Sequence, residues 1–294
     1  MKAARAFLPA AAILLAALQI CRAYEVADAS GKVFRFDAPP RAATIVPAVT
    51  QNIYAVGAQE YLIGNSKFCN IPDGAKKKAK LGGLVDPDYE KIAALNPEIF
   101  ILPTLTDGTL RARLSKLGIP VFTLGGEGLA NIAADLRMLG ELFQCRERAE
   151  LQAKKIEDEI ASAPKIGPES KRALFMFGNI AAGKGSYVGE LLKLCGLKNC
   201  ADSSNGPWAA PMREFIFASA PDMLFVECAN AGETKKLLEY YETDAVWKNT
   251  PAIKNKNVFF VPRDVVGVPS VRVIEALRLM RNAVKSADAQ RANR

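Results

Sequence analysis

The chemistry open to this chain is limited first by a missing residue type, because none of its 294 residues is a histidine. Histidine is the general base of Ser-His-Asp and Cys-His catalysis and a usual ligand in zinc sites. Carboxylates, thiols and lysines remain. The sequence therefore lacks the base that most hydrolases use, and an Asp/Glu pair, as in a glycosidase, is the enzymatic alternative that stays open.

Two glutamates occupy matching places in an internal repeat. The segment from Glu90 to Ile101 aligns without gaps with the segment from Glu214 to Phe225. Each copy has Glu first, Ile two positions on, Pro at seven, an acid at eight and then an apolar strand. A glutamate in a first helical turn interacts favourably with the helix dipole. The repeat alone leaves open this local role or a pair of carboxylates offered to a two-fold symmetric partner.

The loop from Gly178 to Lys184 imitates a phosphate-binding P-loop, since it follows a predicted strand and precedes a predicted helix. The residue after the lysine is Gly185, where a nucleotide site needs Ser or Thr to hold Mg²⁺, and Ser186 comes one position late. The sequence therefore does not predict an NTPase.

The first 23 residues have the pattern of a secretory signal peptide. Lys2 and Arg5 precede an apolar stretch at 7–20, and Cys21 and Ala23 supply small residues for cleavage. The stretch is shorter than the roughly 20 residues that span a bilayer as a helix. We expect an exported protein, with lipid anchoring at Cys21 as an alternative that the bulky residue before it disfavours.

The rest of the chain has a globular composition, with 50% apolar and 24% charged residues. Disordered and fibrous classes are excluded. Removing the leader takes three basic residues and no acid from a net charge of +8, which leaves +5. Basic residues are interleaved with acids except at 76–78 and Lys80, so nucleic-acid binding is not expected.

Five cysteines remain after removal of the leader, and export would bring them into an oxidising compartment. Cys195, Cys200 and Cys228 lie close enough in sequence to predict a disulfide within one lobe, although spacing does not assign the pairing. A metal site made of cysteines alone is the alternative, but no spacing matches a zinc motif.

Buried strands alternate with helices in both halves of the mature chain, which predicts mostly parallel sheets. The predicted strands are 43–47, 61–64, 99–102 and 120–124 in the first half, and 173–177, 223–227 and 258–261 in the second. The fold class is therefore α/β, with two Rossmann-like lobes.

One long helix is predicted between the lobes. Apolar residues recur at helical spacing from Leu129 to Ala163 without an intervening proline, over about 35 residues or on the order of 50 Å. The predicted organisation is a signal peptide at 1–23, an N-terminal lobe at 24–127, a connecting backbone helix at 128–163, a C-terminal lobe at 164–288 and a polar tail at 289–294.

Several segments, in this order and spacing, resemble periplasmic substrate-binding proteins of the iron-chelate and cobalamin type that feed ABC importers. They are 41–57, 68–72, 81–90, 244–258 and 269–272. The resemblance covers nearly the whole mature chain. It implies a periplasmic, monomeric protein without enzymatic activity, cofactor or metal site of its own, which holds its ligand in a shallow cleft between the lobes.

The resemblance also implies that Glu90 and Glu214 engage arginines on the two symmetric subunits of an inner-membrane permease. This agrees with the internal repeat, and exposed contacts of this kind are charge-assisted and salt-sensitive.

The ligand implied by the resemblance is a corrinoid or a ferric siderophore. The residues that it brings to the cleft are Phe68, Lys184, Trp208, Arg263 and Asp264. Phe68 and Trp208 suit stacking on a flat macrocycle, whereas Arg263 and Lys184 suit an anionic chelate. Aromatic residues would be expected of a corrinoid binder at three further places, where the chain has Leu84, Pro103 and Ile180.

Two alternatives stay open. Heme binding within the same importer class needs an axial ligand, and no tyrosine lies in an obvious ligating loop. An exported carboxylate-based hydrolase could use Asp264, but the sequence offers no convincing second carboxylate. Direct capture of Zn²⁺ or Mn²⁺ is disfavoured by the absence of histidine.

Overall fold

The computed structural model describes residues 23–204 and 206–292. The predicted leader up to residue 22 and the lipidation alternative at Cys21 lie outside the described residues. No helix in these two ranges is both long and apolar enough to span a membrane.

The N-terminal lobe begins with an antiparallel hairpin of β1 (Tyr24–Ala27) and β2 (Val33–Phe36). A five-stranded parallel sheet follows, in the order β5-β4-β3-β6-β7. Its strands are β3 (Ala42–Ala43), β4 (Leu62–Asn65), β5 (Ala79–Lys80), β6 (Ile99–Pro103) and β7 (Val121–Leu124). Its helices are α1 (Pro47–Ala55), α2 (Tyr89–Leu95) and α3 (Gly108–Lys116). The strand order reverses at β3, so the carboxyl ends of β3 and β6 form a topological switch point.

The segment between the lobes is two antiparallel helices, α4 (Leu129–Leu142) and α5 (Arg146–Ala161). The prediction of one helix over 128–163 is therefore wrong. Arg137 of α4 binds both Glu150 and Glu157 of α5, with Nη2–Oε distances of 2.8 Å to each. We call α4, α5 and the turn between them the connecting hairpin.

The chain reverses at Phe143, Gln144 and Cys145 without a glycine or a proline. Gln144 adopts a left-handed conformation with φ +57°. The amides of Phe143 and Cys145 donate to carbonyl groups in the last turn of α4, which closes the helix. Helical periodicity continues on both sides of this turn, so the apolar pattern does not reveal the reversal.

Helix α5 alone carries the chain from one lobe to the other. Arg148 near its start donates to the carbonyl of Ala55 in the N-terminal lobe at 2.9 Å. Glu159 near its end pairs with Arg281 of the C-terminal lobe. Its 16 residues span about 24 Å, half the predicted length.

The C-terminal lobe contains a six-stranded sheet in the order β11-β9-β8-β12-β13, with β10 also paired to β8. Its strands are β8 (Arg172–Phe177), β9 (Ile180–Ala182), β10 (Lys198–Asn199), β11 (Trp208–Ala209), β12 (Met223–Cys228) and β13 (Val258–Pro262). Strands β8, β10, β12 and β13 are parallel, and β9 and β11 pair in the antiparallel sense. Its helices are α6 (Tyr187–Leu194), α7 (Arg213–Ser219), α8 (Ala231–Thr243), α9 (Pro251–Lys254), α10 (Arg263–Val266) and α11 (Val273–Ala292).

The predicted α/β class with mostly parallel sheets is confirmed, and one apolar core links both sheets through the connecting hairpin. Phe100 of β6, Leu136 of α4, Ile156 of α5 and Phe175 of β8 all belong to this buried cluster. The predicted tail at 289–294 is a smaller error, because α11 continues to Ala292.

The internal repeat corresponds to a repeated structural unit, α2–β6 in one lobe and α7–β12 in the other. In the first, the backbone amide of Arg41 donates to Glu98 at 2.6 Å. In the second, the backbone amide of Arg172 donates to Asp222 at 2.9 Å. The acid at position eight of each repeat therefore anchors the chain at the amino end of the adjacent strand.

All five cysteines in the described residues are free thiols, so the disulfide predicted among Cys195, Cys200 and Cys228 is wrong. Cys200 lies against the carbonyl of Ser219, which precedes β12, whereas Cys228 ends that strand. Six strand residues separate these levels by about 17 Å, far beyond the reach of a disulfide. Cys195 lies near Arg281 of α11, and burial raises its pKa to about 12 and that of Cys200 to about 11.

The close approach of α4 to α5 gives a test of the connecting hairpin. A Cβ at Gly140 would overlap the Cβ of Ala149. Replacing Gly with Ala inside a helix normally stabilises it by about 1 kcal/mol, but overpacking costs about 1–3 kcal/mol. Gly140→Ala should therefore lower the free energy of unfolding measured with urea.

Gly108→Ala is the matched control, because Gly108 is also helical and a Cβ there meets nothing within 4 Å. A stability of Gly140→Ala equal to that of the control would contradict the observed packing of the two helices.

Candidate functional site

A cavity of about 240 Å³ lies at the switch point of the N-terminal sheet. Loops after β3, β6 and β7 and the start of α1 form it, and a segment between α10 and α11 closes it from the other lobe. Its apolar lining is Val46, Pro47, Ala48, Val49, Leu84, Pro103, Leu105, Leu124, Val268 and Pro269. The polar side chains among its lining residues are those of Asn52, Glu127 and Asp135. We call it the cleft cavity.

Polar contacts across the cleft hold the lobes together. The amide of Val271 donates to Oδ1 of Asn52 at 2.9 Å, and the hydroxyl of Ser270 donates to the side chain of Gln51. Ser270, Gln51 and Asn52 are all buried. The position of the cleft cavity between the lobes is therefore fixed by hydrogen bonds as well as by the continuous core.

Trp208 is the predicted ligand residue that bonds to the lining of the cleft cavity. Its indole packs edge-on against Phe177 and Tyr187, with ring centroids 5.3 and 5.9 Å away. Its Nε1–H donates to Oε2 of Glu127 at 2.8 Å, across the cleft. Tyr187 donates its hydroxyl to the carbonyl of Val266, and burial raises its pKa well above the usual range. Tyr187 is therefore occupied and does not offer a phenolate to a metal.

Arg263 is not a free cation for an anionic ligand. Its Nε and Nη2 donate to the carboxylate of Glu227, and Nη2 also lies 3.4 Å from Glu233. The Glu227 side chain is only 10% exposed. The hydrogen bonds from Arg263 to Glu227 raise the pKa of Arg263. The charge that was expected to attract an anionic chelate is neutralised within its own lobe.

None of the five predicted ligand residues is among the residues that line the cleft cavity. Phe68 is 61% exposed in the loop after β4, where the ammonium of Lys67 lies 5.3 Å from its ring centroid. Lys184 is exposed between β9 and α6. Asp264 lies 3.5 Å from the guanidinium of Arg272. Their ligand roles stay predictions, as do those of Trp208 and Arg263.

The loop that imitates a P-loop begins with the turn between β8 and β9, and Ile180–Ala182 form β9 itself. It therefore has no continuous loop that could cradle a phosphate. In the part of the chain that the structure describes, no cluster of three or more Cys, Asp or Glu residues could hold a metal ion.

Asp135 is the site residue that the sequence analysis missed. It is 8% exposed on the second turn of α4, and its Oδ1 accepts the Gly125 amide at 2.6 Å. Burial outweighs this hydrogen bond and raises the pKa of Asp135 from 3.8 to about 7. An acid on the same helix face as Ile132, Leu136 and Leu139 is the signal that could have identified it.

The second oxygen of Asp135 faces the cleft cavity. No buried side-chain nitrogen or oxygen in the described residues lacks a hydrogen-bond partner. The hydrogen bond to Gly125 uses Oδ1, and Oδ2 takes part in none. Oδ2 is therefore accessible from the cavity that Asp135 lines.

Glu90 and Glu214 are both exposed in the first turn of their helices, α2 and α7. Within the described residues neither carboxylate belongs to an ion pair. Each helix leads directly to the amino end of the following parallel strand, so it starts at the carboxyl edge of its sheet. Each lobe thus presents one unpaired carboxylate at the edge where the cleft opens.

Sequence comparison relates the chain to cobalamin-binding proteins. The pattern of a family described as periplasmic binding protein matches residues 43–265. The vitamin B12-binding protein of Salmonella choleraesuis (strain SC-B67) is 29% identical over 210 residues, which are 69% of this chain and 78% of that protein. The cobalamin-binding protein of Halobacterium salinarum (strain R1) is 22% identical over 267 residues, which are 87% of this chain and 72% of that protein.

Solved structures share the two-lobed fold. The apo form of the periplasmic heme-binding protein RhuT from Roseiflexus sp. RS-1 has a TM-score of 0.72 at 21% identity, covering 84% of this chain and 98% of that chain. The periplasmic vitamin B12-binding protein BtuF of Vibrio cholerae has a TM-score of 0.70 at 19% identity, covering 85% and 98%. The predicted two-lobed architecture is confirmed.

The buried position of Asp135 predicts a pH-dependent stability. Because its folded pKa is raised, the folded state favours the protonated acid, and this contribution is lost as pH rises through about 7. Asp135→Asn removes the titration and keeps the shape. The variant should gain about 1–3 kcal/mol more unfolding free energy relative to wild type at pH 8 than at pH 5.

Urea unfolding at both pH values measures this difference. Asp158→Asn, at an exposed position of α5, is the control and should show a much smaller pH-dependent gain. An equal pH-dependent gain in unfolding free energy in the two variants would contradict a buried acid with a raised pKa at Asp135.

Proposed function

The chain belongs to the periplasmic binding protein family, and on this premise we propose that it is an exported, non-enzymatic protein that captures a corrinoid in its interlobe cleft. It delivers the corrinoid to the permease of an ABC importer in the inner membrane. The signal-peptide pattern of residues 1–23 supports export to the periplasm. The vitamin B12- and cobalamin-binding relatives support this ligand class.

The charge around the cleft cavity is the observation that carries the choice of ligand. The cavity lining includes Glu127 and Asp135 but no lysine or arginine. Arg263, one of the two predicted cations, is paired with Glu227. A corrinoid presents a broad apolar macrocycle and neutral carboxamides, whereas heme propionates and many ferric siderophores present anionic groups. The apolar, acidic lining therefore favours the corrinoid.

A corrinoid is much larger than the cleft cavity, so it would extend outward between the lobes. The hydrogen bond from Trp208 to Glu127 crosses that path. Binding would exchange this bond for stacking of the indole on the ligand, which uses the large polarisable face of Trp208. Leu84 and Pro103 would then contact the edge of the macrocycle from the cavity wall.

A fluorescence titration tests the ligand class. The chain has only two tryptophans, and Trp247 is buried beside Tyr241. Cyanocobalamin should quench the fluorescence of Trp208 at submicromolar concentration. Trp208→Phe should remove most of this quenching, and the emission that remains should come from Trp247. A response to hemin or ferric hydroxamates without one to cyanocobalamin would contradict the proposal.

Calorimetry of the same variants tests the role of Trp208. Stacking contributes about 1–2 kcal/mol, so Trp208→Ala should weaken cyanocobalamin binding about tenfold. Trp208→Phe should lose less, because a smaller aromatic face remains. Phe217→Ala, at an exposed position of α7 away from the cavity lining, is the control. Unchanged affinity in Trp208→Ala would place Trp208 outside the ligand site.

The permease contact is proposed for Glu90 and Glu214. Support comes from their equivalent positions in the repeated unit, their exposure and their lack of an ion-pair partner within the described residues. Met212 and Phe217 are also exposed on and next to α7. They would add an apolar contact beside the Glu214 carboxylate.

A double substitution separates docking from ligand capture. Glu90→Gln with Glu214→Gln should abolish corrinoid uptake by cells and leave the dissociation constant for cyanocobalamin unchanged, because the carboxylates lie outside the cleft cavity. Glu147→Gln with Glu169→Gln changes two other exposed carboxylates and is the charge-matched control. Equal uptake by the two double variants would contradict the docking role.

A further inference from the structure

The cleft cavity has two titratable groups in its lining, and they differ in burial, because Asp135 is buried and Glu127 is half-buried. Glu127 accepts the indole N–H of Trp208 at 2.8 Å. Asp135 accepts only the amide of Gly125, through Oδ1, and turns Oδ2 to the cavity. Asp135 is thus the more buried of the two acids, and it has a hydrogen-bonding position left for a ligand.

Among the described residues that line the cavity with Asp135, none is a lysine or an arginine. Seen from the cavity, α1 contributes Asn52, the loop after β7 contributes Glu127, and the segment before α11 contributes Val268 and Pro269. Glu190 of α6 adds a further acid near this loop, where it accepts the amide of Leu129. Ionised Asp135 would therefore face other acids and apolar groups, and no cation would compensate its charge when a ligand displaces water.

We propose that Asp135 binds the ligand as a neutral carboxyl group, whose Oδ2–H donates to the carbonyl oxygen of a ligand carboxamide. This inference rests on the proposed function, because corrinoids carry several carboxamide side chains around the macrocycle. The cavity is large enough for one such side chain, and its apolar walls exclude water from the hydrogen bond.

Proton binding and ligand binding are coupled in this arrangement. In the protein without ligand the pKa of Asp135 is about 7, so near neutral pH about half of the molecules carry a protonated Asp135. A neutral ligand that covers Oδ2 removes its last water and disfavours the carboxylate further. Binding therefore takes up a proton above pH 7, and affinity should fall as pH rises, approaching tenfold per pH unit.

Calorimetric titration with cyanocobalamin from pH 5.5 to pH 8.5 tests this coupling, because the ligand itself does not titrate in this range. Wild-type Kd should be constant below about pH 6 and rise above pH 7. Asp135→Asn keeps an N–H donor at the same place without a titrating proton. Its Kd should stay within about threefold of the wild-type value at low pH and should not change with pH.

Two controls identify the group and the ligand atom. Glu127→Gln should keep the wild-type pH dependence, which assigns the titration to Asp135. Dicyanocobinamide keeps the carboxamides but lacks the nucleotide loop, and it should show the same slope as cyanocobalamin. Asp135→Leu should bind weakly at every pH, and the comparison of wild type with Asp135→Asn stands without it if that variant does not fold.

The possible failures are distinguishable. A flat wild-type profile, an unchanged slope in Asp135→Asn, or affinity that improves with rising pH would each overturn the role of Asp135 as a donor. The last result would make the carboxylate an acceptor for a ligand N–H. Absence of cyanocobalamin binding at every pH would overturn the proposed function, and this inference with it.

Discussion

The reversal of the chain in the connecting hairpin is the constraint on which the site depends. Arg137 binds two carboxylates of α5, and Gly140 allows an approach that no Cβ would permit. Because α4 runs back from the cleft, its first turn meets Glu190 of the other lobe and its second turn places Asp135 at the cavity. A single straight helix would carry these residues along the axis between the lobes, and the cavity would lose its buried acid.

The repeated unit of the two lobes explains how Glu90, Glu214 and the cleft share one edge. In each copy an acid bonds the backbone amide of an arginine, Glu98 to Arg41 and Asp222 to Arg172. The ion pairs that these acids also form with the arginine side chains are exposed or half-exposed, so each one contributes little stability. Their effect is geometric, because the hydrogen bond to the backbone fixes where the helix–strand unit sits against the neighbouring strand. Because the helix–strand unit is placed in the same way in both lobes, Glu90 and Glu214 occupy equivalent positions.

Helices and strands that follow from a local apolar pattern were predictable from the sequence, whereas contacts between residues far apart in the chain were not. The helix at Tyr187–Leu194 and the buried strands β6, β8 and β12 follow from apolar runs between turn residues. The turn at Gln144 was missed because it uses a left-handed residue other than glycine. The ion pair of Arg263 was missed because Glu227 is 36 residues away and meets it only across adjacent strands.

The same distinction applies within the candidate site. Trp208 could be proposed from its residue type and position along the chain, but its bond to Glu127 joins residues 81 apart through the packing of the lobes. Asp135 was hidden for the opposite reason. Its helix looks regular, and only the fold shows that this face of α4 borders a cavity and not solid core. Periodicity identifies a buried face without saying what lies against it.

Desolvation of the charges in the cleft supports the proposed preference for a neutral ligand. An anionic chelate would have to be buried beside Glu127 and Asp135, and the lining offers no cation in return. Recruiting Arg263 would leave Glu227, whose side chain is 10% exposed, without its ion-pair partner, which disfavours this route. A carboxamide carries no charge, and it can accept a hydrogen bond from the protonated form of Asp135, which burial favours. If the cleft binds its ligand as proposed, it would disfavour anionic chelates, because binding them would leave acids without the partner or the proton that they have in the folded protein.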